Sequence, residues 1–409
     1  MATIYGKNYG KPSLDLNFAG NKSLIDTTTG TNYVTFSRAQ SGNEATYVGS
    51  DGLIKYASAD EPRFDHDPTT NASLGLLIEE SRTNVMTNST SPSWNANAFG
   101  TGTTPTVTLV SNAAPDGSTN SAQRFQFDRG TGNTSNDYSL VSITTSAASV
   151  LHSVSVWMRS NDSNTYTLIF YDAGGGKGEE IIVTPSWKRY ILDASTSYKN
   201  SNQTSYSSPN LIFGLRNDPP AVGYFTGNNN SQTADILAWG PQIEAGTFPT
   251  SYIPTSGSTE TRAADEASMT ASPYLYGTFF AKYKHHPGNN NFRQIFTVGS
   301  SNAYTAFVCR TTPAGSVNIV LPGIIELTST ANSETSGINI AATTRVIGDY
   351  AVCLNGGTVA TSSSTSDNSN NSVITFMYGT IGAVSGGHIS RFTYWPKRLP
   401  DIELQQLTK

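Results

Sequence analysis

Between Asp235 and Asp265 the chain reads DILAWGPQIEAGTFPTSYIPTSGSTETRAAD, and Pro241, Pro249 and Pro254 limit what this stretch can become. Large apolar residues first recur at strand spacing, from Ile236 through Trp239 to Ile243, with a one-residue slip near Gly240-Pro241. A slip of that kind at a Gly-Pro pair marks a β-bulge. Beyond Gly246 the prolines fix φ and remove backbone donors, so neither a helix nor an interior strand can continue. A β-domain therefore ends here and an extended connector begins, which puts a boundary near residue 260. A fresh alternation opens at GTFFAKY, Gly277 to Tyr283.

A chain of 409 residues accommodates two or three domains at roughly 100–200 residues each. Only 13% of residues are charged, while 36% are hydrophobic and 10% aromatic, so there is enough apolar side chain for sandwich cores. The net charge of -5 comes with no basic stripe, which argues against nucleic acid as a partner. The N-terminus has no apolar leader and no long uncharged apolar run follows, so no membrane insertion is expected. Cys309 and Cys353 both lie in apolar strand-like runs; a disulfide would need those strands to be neighbours, and two buried free thiols are the favoured reading.

Taken in order, residues 1–90 read as a strand-rich arm of short runs separated by glycines, with too little core of its own, contributing strands to the C-terminal sandwich. Residues 91–260 carry regularly spaced strand candidates and no helical pattern, as a jelly-roll-like β-sandwich does. Within it, Val154, Val156 and Met158 share one strand face and Trp157 takes the other. Residues 261–409 form a second sandwich, with a hairpin turn at Asn355-Gly356-Gly357 and a terminal amphipathic helix over PDIELQQL whose apolar face is Ile402, Leu404 and Leu407. The fold class is all-β: two β-sandwich domains, an N-terminal strand-rich arm and a short C-terminal helix.

Chemistry-bearing motifs are sparse. The adjacent pairs Glu79-Glu80 and Glu179-Glu180 would point to opposite faces of a strand and cannot jointly flank a bond, although carboxylates distant in sequence leave a glycosidase open. Asp65-His66-Asp67 reads as an Asx-turn more readily than as a metal corner, since calcium needs six or more oxygens. The Gly-rich run Asp172 to Gly178 lacks the spacing of a phosphate loop and the helix that follows one. No catalytic, cofactor or metal residue is assigned. Tyr198, Tyr206, Tyr224 and Phe225, on long loops of the middle domain, are candidate contacts to a glycan or to another subunit. Trp157 is either a sugar platform or the seal of a sheet.

Three stretches, Glu61 to Asn84, Ala238 to Asp265 and His388 to Thr408, together resemble structural proteins of tailed bacteriophages, in particular fibre, tail and other virion-surface proteins. The second resembles the end of a carbohydrate-binding-module-like jelly roll, and the third the last strand and helix of a laminin-G or concanavalin-like sandwich. The resemblance implies a non-enzymatic virion protein, assembled in the host cytoplasm as a homo-oligomer with other virion proteins and presenting sandwich surfaces to a host glycan. A capsid-decorating or purely architectural protein and a polysaccharide-degrading enzyme are the alternatives. Arg262 and Asp265 are expected to pair with charged partners at the domain junction, where an exposed pair would orient the modules and add little stability.

Overall fold

The computed structural model describes residues 10–39, 42, 45–145, 151–173, 177–193, 209–217, 231–286, 292–299, 307–312, 314–321, 325–332, 339–365, 372–377 and 386–409. Among the described residues all the sheets are antiparallel, and four of them stack as two sandwiches.

In the middle sandwich one sheet runs Lys188–Leu192, His152–Ser160, Thr233–Ala245, Gln123–Asp128, Thr103–Leu109. The facing sheet runs Lys177–Val183, Tyr166–Asp172, Asn210–Arg216, Tyr138–Thr144, Asn95–Phe99. Alternation sets the core: Val154, Val156 and Met158 pack with Phe125, Phe170 and Phe213 between the sheets, while Trp157 points out of that core. The strand Thr233–Ala245 is kinked where the sequence slips. Ser155 pairs with Gln242 and Trp157 with Trp239, so Gly240 and Pro241 together oppose Val156. The bulge uses Gly240 at φ +57, a conformation costly for other residues.

The C-terminal sandwich is completed by the start of the chain. Its first sheet runs Ala360–Ser362, Tyr350–Leu354, Asn339–Arg345, Gly277–His285, Gly387–Trp395, Ser73–Ile78, Arg63–His66, with Leu14–Leu16 also paired to Gly387–Trp395. Its second sheet begins with Val34–Ser37, paired to Glu266–Thr270, and continues through Val373–Phe376 and Arg293–Val298. Phe279, Phe296, Phe376 and Phe392 meet Leu14, Leu16, Phe18 and Phe36 in one core, so the arm fills space that the C-terminal residues leave open. A short hairpin, Ala45–Val48 with Ile54–Ala57, stands outside both sandwiches.

The turn at Asn355-Gly356 has φ +47 and +71, as a two-residue hairpin of the I′ kind requires. Asp172 opposes Lys177 in an antiparallel pair, and Gly174 to Gly176 of the Gly-rich run lie outside the described residues. Cys309 and Cys353 are buried free thiols in separate apolar clusters. The terminal helix spans Asp401–Leu407 and buries Leu404 and Leu407, but Ile402 is 59% exposed. Positions 402 and 404 lie about 200° apart on a helix, so Ile402 cannot share the buried stripe.

Candidate functional site at the junction of the sandwiches

The connector after Gly246 runs between the two sandwiches and the N-terminal arm. Tyr252 and Ile253 are 2% and 0% exposed; Tyr252 lies against Trp239 at a ring distance of 4.6 Å, and its hydroxyl shares a 2.9 Å hydrogen bond with Ser89 Oγ. This anchors the connector to the outer face of the middle sandwich. Its far end, Glu260–Arg262, pairs with Arg82–Asn84, which reaches Thr233–Ala245 at Glu244.

Under the connector lies a charge network with no solvent exposure. Asp265 accepts from Arg38 Nη1 at 2.9 Å, from Arg63 Nη2, and from the backbone N–H of Glu79 at 2.8 Å. Glu79 Oε2 faces Arg63 Nη1 at 2.8 Å and Arg262 Nη1 at 2.9 Å, and Glu79 also accepts from the N–H and hydroxyl of Ser251, both at 2.7 Å. Arg262 donates to Thr250 Oγ1 at 2.9 Å, and Thr250 Oγ1 donates to Glu244 Oε1 at 2.5 Å, so a third carboxylate is tied in through one hydroxyl. Arg262 and Asp265 thus pair in full burial rather than at an exposed surface, because the arm supplies Arg38, Arg63 and Glu79 beneath the connector. Fully buried charge persists only when every group has close partners, and forked guanidinium donors serve that geometry better than an ammonium would. Burial alone would raise the Glu79 carboxyl; Arg262 and Arg63 outweigh it and hold it well below the usual range.

Beside this network opens a cleft of about 300 Å³ bounded by the hairpin, the outer face of the middle sandwich and the strand ends of the C-terminal sandwich. His66, His285, His286 and His388, four of the chain's five histidines, line it. His388 Nε2 lies 2.7 Å from Asp65 Oδ2, and His286 stacks on Phe248 at 5.4 Å with Nε2 3.4 Å from Glu79 Oε1. Burial, reinforced by the Arg293 charge, pushes His285 down to about 3; burial also lowers His388 against the opposing pull of Asp65. On the sandwich side, Trp157 and Arg189 are register partners on neighbouring strands, and both line the cleft.

Asp67 makes the turn read in the sequence, its Oδ1 accepting from the N–H groups of Thr69 and Thr70 at 3.0 and 2.9 Å. Asp65 and His66 instead fix the hairpin, through Val48 N–H at 2.7 Å and Val48 O at 3.0 Å. Among the described residues no group of three His, Cys, Asp or Glu side chains could hold a metal ion. Trp157 is 6% exposed, packed with Ile54, Trp239 and Tyr252, so it seals the outer face of the sheet and is no open platform. Tyr198, Tyr206, Tyr224 and Phe225 lie outside the described residues. The ion network and the histidine cleft were not legible beforehand, since their members are scattered from position 38 to 388. The one available signal was charge directly closing an apolar extended run, as at Glu79 after Leu74 to Ile78.

No protein-family model matches the chain, and no curated protein does. Among solved structures, the CBM40 of a Ruminococcus gnavus IT-sialidase is similar over 33% of this chain and 84% of its own, at 24% identity and a TM-score of 0.29. A Limulus polyphemus SAP-like pentraxin is similar over 33% of this chain and 70% of its own, at 13% identity and a TM-score of 0.25. Mouse laminin α1 domains LG4-5 cover 61% of this chain and 83% of their own, at 9% identity and a TM-score of 0.21. These are distant similarities between β-sandwiches and carry nothing about ligand.

Proposed function

We propose that the chain is a non-enzymatic structural protein of a tailed-phage virion, tail- or fibre-associated, which assembles with copies of itself and other virion proteins in the host cytoplasm and presents its sandwiches to a host surface glycan. The observation that carries this reading is spatial. The three stretches that resemble virion-surface proteins converge on one junction: the first supplies Arg63 and Glu79, the second Glu244, Thr250, Ser251, Arg262 and Asp265, and the third His388 beside them. These stretches are therefore the parts of the chain that hold the modules together. A protein that links a particle to a cell surface needs modules in fixed relative positions, and a fully buried ion network under a proline-stiffened connector provides that.

Gold-labelled antibody against the protein on intact particles tests the assignment. Label at the tail or its fibres is the expected result. A lattice of label over the shell would replace the adsorption role with capsid decoration, and release of reducing ends from host polysaccharide by the purified chain would replace it with an enzyme.

A further inference from the structure

Trp157 Nε1, Arg189 Nε and His66 Nε2 are among the buried polar atoms of cleft-lining residues without a hydrogen-bond partner among the described residues, beside ring nitrogens of His285 and His286. Trp157 and His66 are 6% and 4% exposed, so neither atom is exposed to bulk water. Their characters differ. His66 Nδ1 sits 3.0 Å from the carbonyl oxygen of Val48, which can only accept, so a proton is assigned to Nδ1 and Nε2 is the acceptor of that tautomer. Trp157 Nε1 and Arg189 Nε are donors. The terminal nitrogens of Arg189 are already used, at 2.6 Å from Thr250 O and 2.9 Å from Ser155 Oγ, which fixes the guanidinium plane. Leaving a buried donor or acceptor unmade costs about 1–3 kcal/mol each, so such atoms gathered at one cleft favour an occupant that pairs them.

We infer that this cleft is a subsite for a single sugar ring. The inference deepens the glycan reading above and rests on it, but moves recognition from the outer loops to the junction. Trp157, Arg189 and His66 together offer two donors and one acceptor, and sugar hydroxyls both donate and accept, so one ring can satisfy all three. Tyr47, only partly buried, lines the same space and gives the apolar C–H face of a pyranose aromatic surface to rest on. A volume of about 300 Å³ stands at the lower end of small-ligand sites, the size of one ring and not of a chain. The cleft is walled by both sandwiches and by the hairpin, so an occupant would touch every part that the ion network holds in place.

The test uses the full chain labelled with 15N-tryptophan, the Trp157 indole N–H resonance being assigned by its loss in Trp157→Phe. The probes are methyl glycosides of glucose, galactose, mannose, rhamnose and N-acetylglucosamine, and the purified surface polysaccharide of a strain the particle infects. Expected is a saturable shift of the Trp157 resonance with at least one probe, and about tenfold weaker binding of that probe by Trp157→Phe and by His66→Gln, the loss of one hydrogen bond. The melting temperature of each variant is measured beside it, and the wild-type resonance gives an answer even where a variant unfolds. Polysaccharide binding that leaves the Trp157 resonance unmoved overturns the subsite while the adsorption reading stands. Binding of neither polysaccharide nor any glycoside overturns both.

Discussion

Arg63 and Asp265, 202 positions apart, form an ion pair with both side chains fully buried, and Asp265 is also held by Arg38 and by the backbone of Glu79. Removing one member of such a pair leaves buried charge without compensation. Asp265→Asn is therefore expected to lower unfolding free energy by about 3–5 kcal/mol. The partly exposed pair of Arg124 and Asp235, 2.5 Å apart, is the control: Arg124→Gln should cost no more than about 1 kcal/mol. Urea unfolding of the two variants measures the contrast, and equal costs would refute the role given to the network.

On the acid side, stability should fall in two stages. His285, pushed down to about 3 by burial, and His388, lowered by burial, are held neutral in the folded chain. The unfolded chain takes up their protons first, so their contribution is complete above about pH 6.5 and is lost as pH falls below it. Glu79 has a folded-state pKa well below its unfolded one, so its share is complete above about pH 4.5 and is lost below that. Arg293, His286 and Asp65 also face these groups and shape the first stage. Thermal midpoints from pH 8 to 3 should be level above 6.5, decline below it and steepen below 4.5, and His285→Gln should flatten the first decline. A midpoint unchanged between pH 7 and 5 would contradict this.

The elements legible in the sequence are those governed by local rules. Alternation placed Val154, Val156 and Met158 in the core, Asn355-Gly356 required positive φ, and Gly240-Pro241 could interrupt a strand only as a bulge. The junction obeys no local rule. Arg38, Glu79 and Asp265 become neighbours only once the arm has joined the C-terminal sheets, and nothing near Arg262 in sequence distinguishes a buried guanidinium from an exposed one. The same limit made Trp157 ambiguous: its strand face was readable, but the hairpin and Tyr252 that cover that face come from residues about 100 positions away on either side.

Cys309 and Cys353 are expected to be unreactive in the native protein. Both are 0% exposed, and burial pushes each thiol above its ordinary range, so little thiolate forms at neutral pH. Iodoacetamide at pH 8 should label neither in the folded chain and both in denaturant, with mass spectrometry reading the sites. Labelling of Cys353 alone in the folded chain would show that the terminal helix, whose Thr408 Oγ1 lies 3.2 Å from the sulfur, opens independently.

At Gly75 a contact between the arm and the C-terminal sheet can be broken with one methyl group. It has φ +99, and a Cβ there would meet the carbonyl oxygen of Ile389 and stand 2.6 Å from Ser390 Cα. Those atoms belong to the strand Gly387–Trp395, which pairs with Ser73–Ile78 through Ile389 and Leu76, so neither side can yield without losing sheet hydrogen bonds. Gly75→Ala should cost about 1–3 kcal/mol from backbone strain alone, with steric displacement added. Because that strand leads directly into Glu79, the displacement should reach the ion network. Amide hydrogen exchange is expected to rise at Glu79 and along 387–391 in the variant, while the middle-sandwich core around Val156 keeps its protection. Protection unchanged at Glu79 would mean that the arm and the network are mechanically independent.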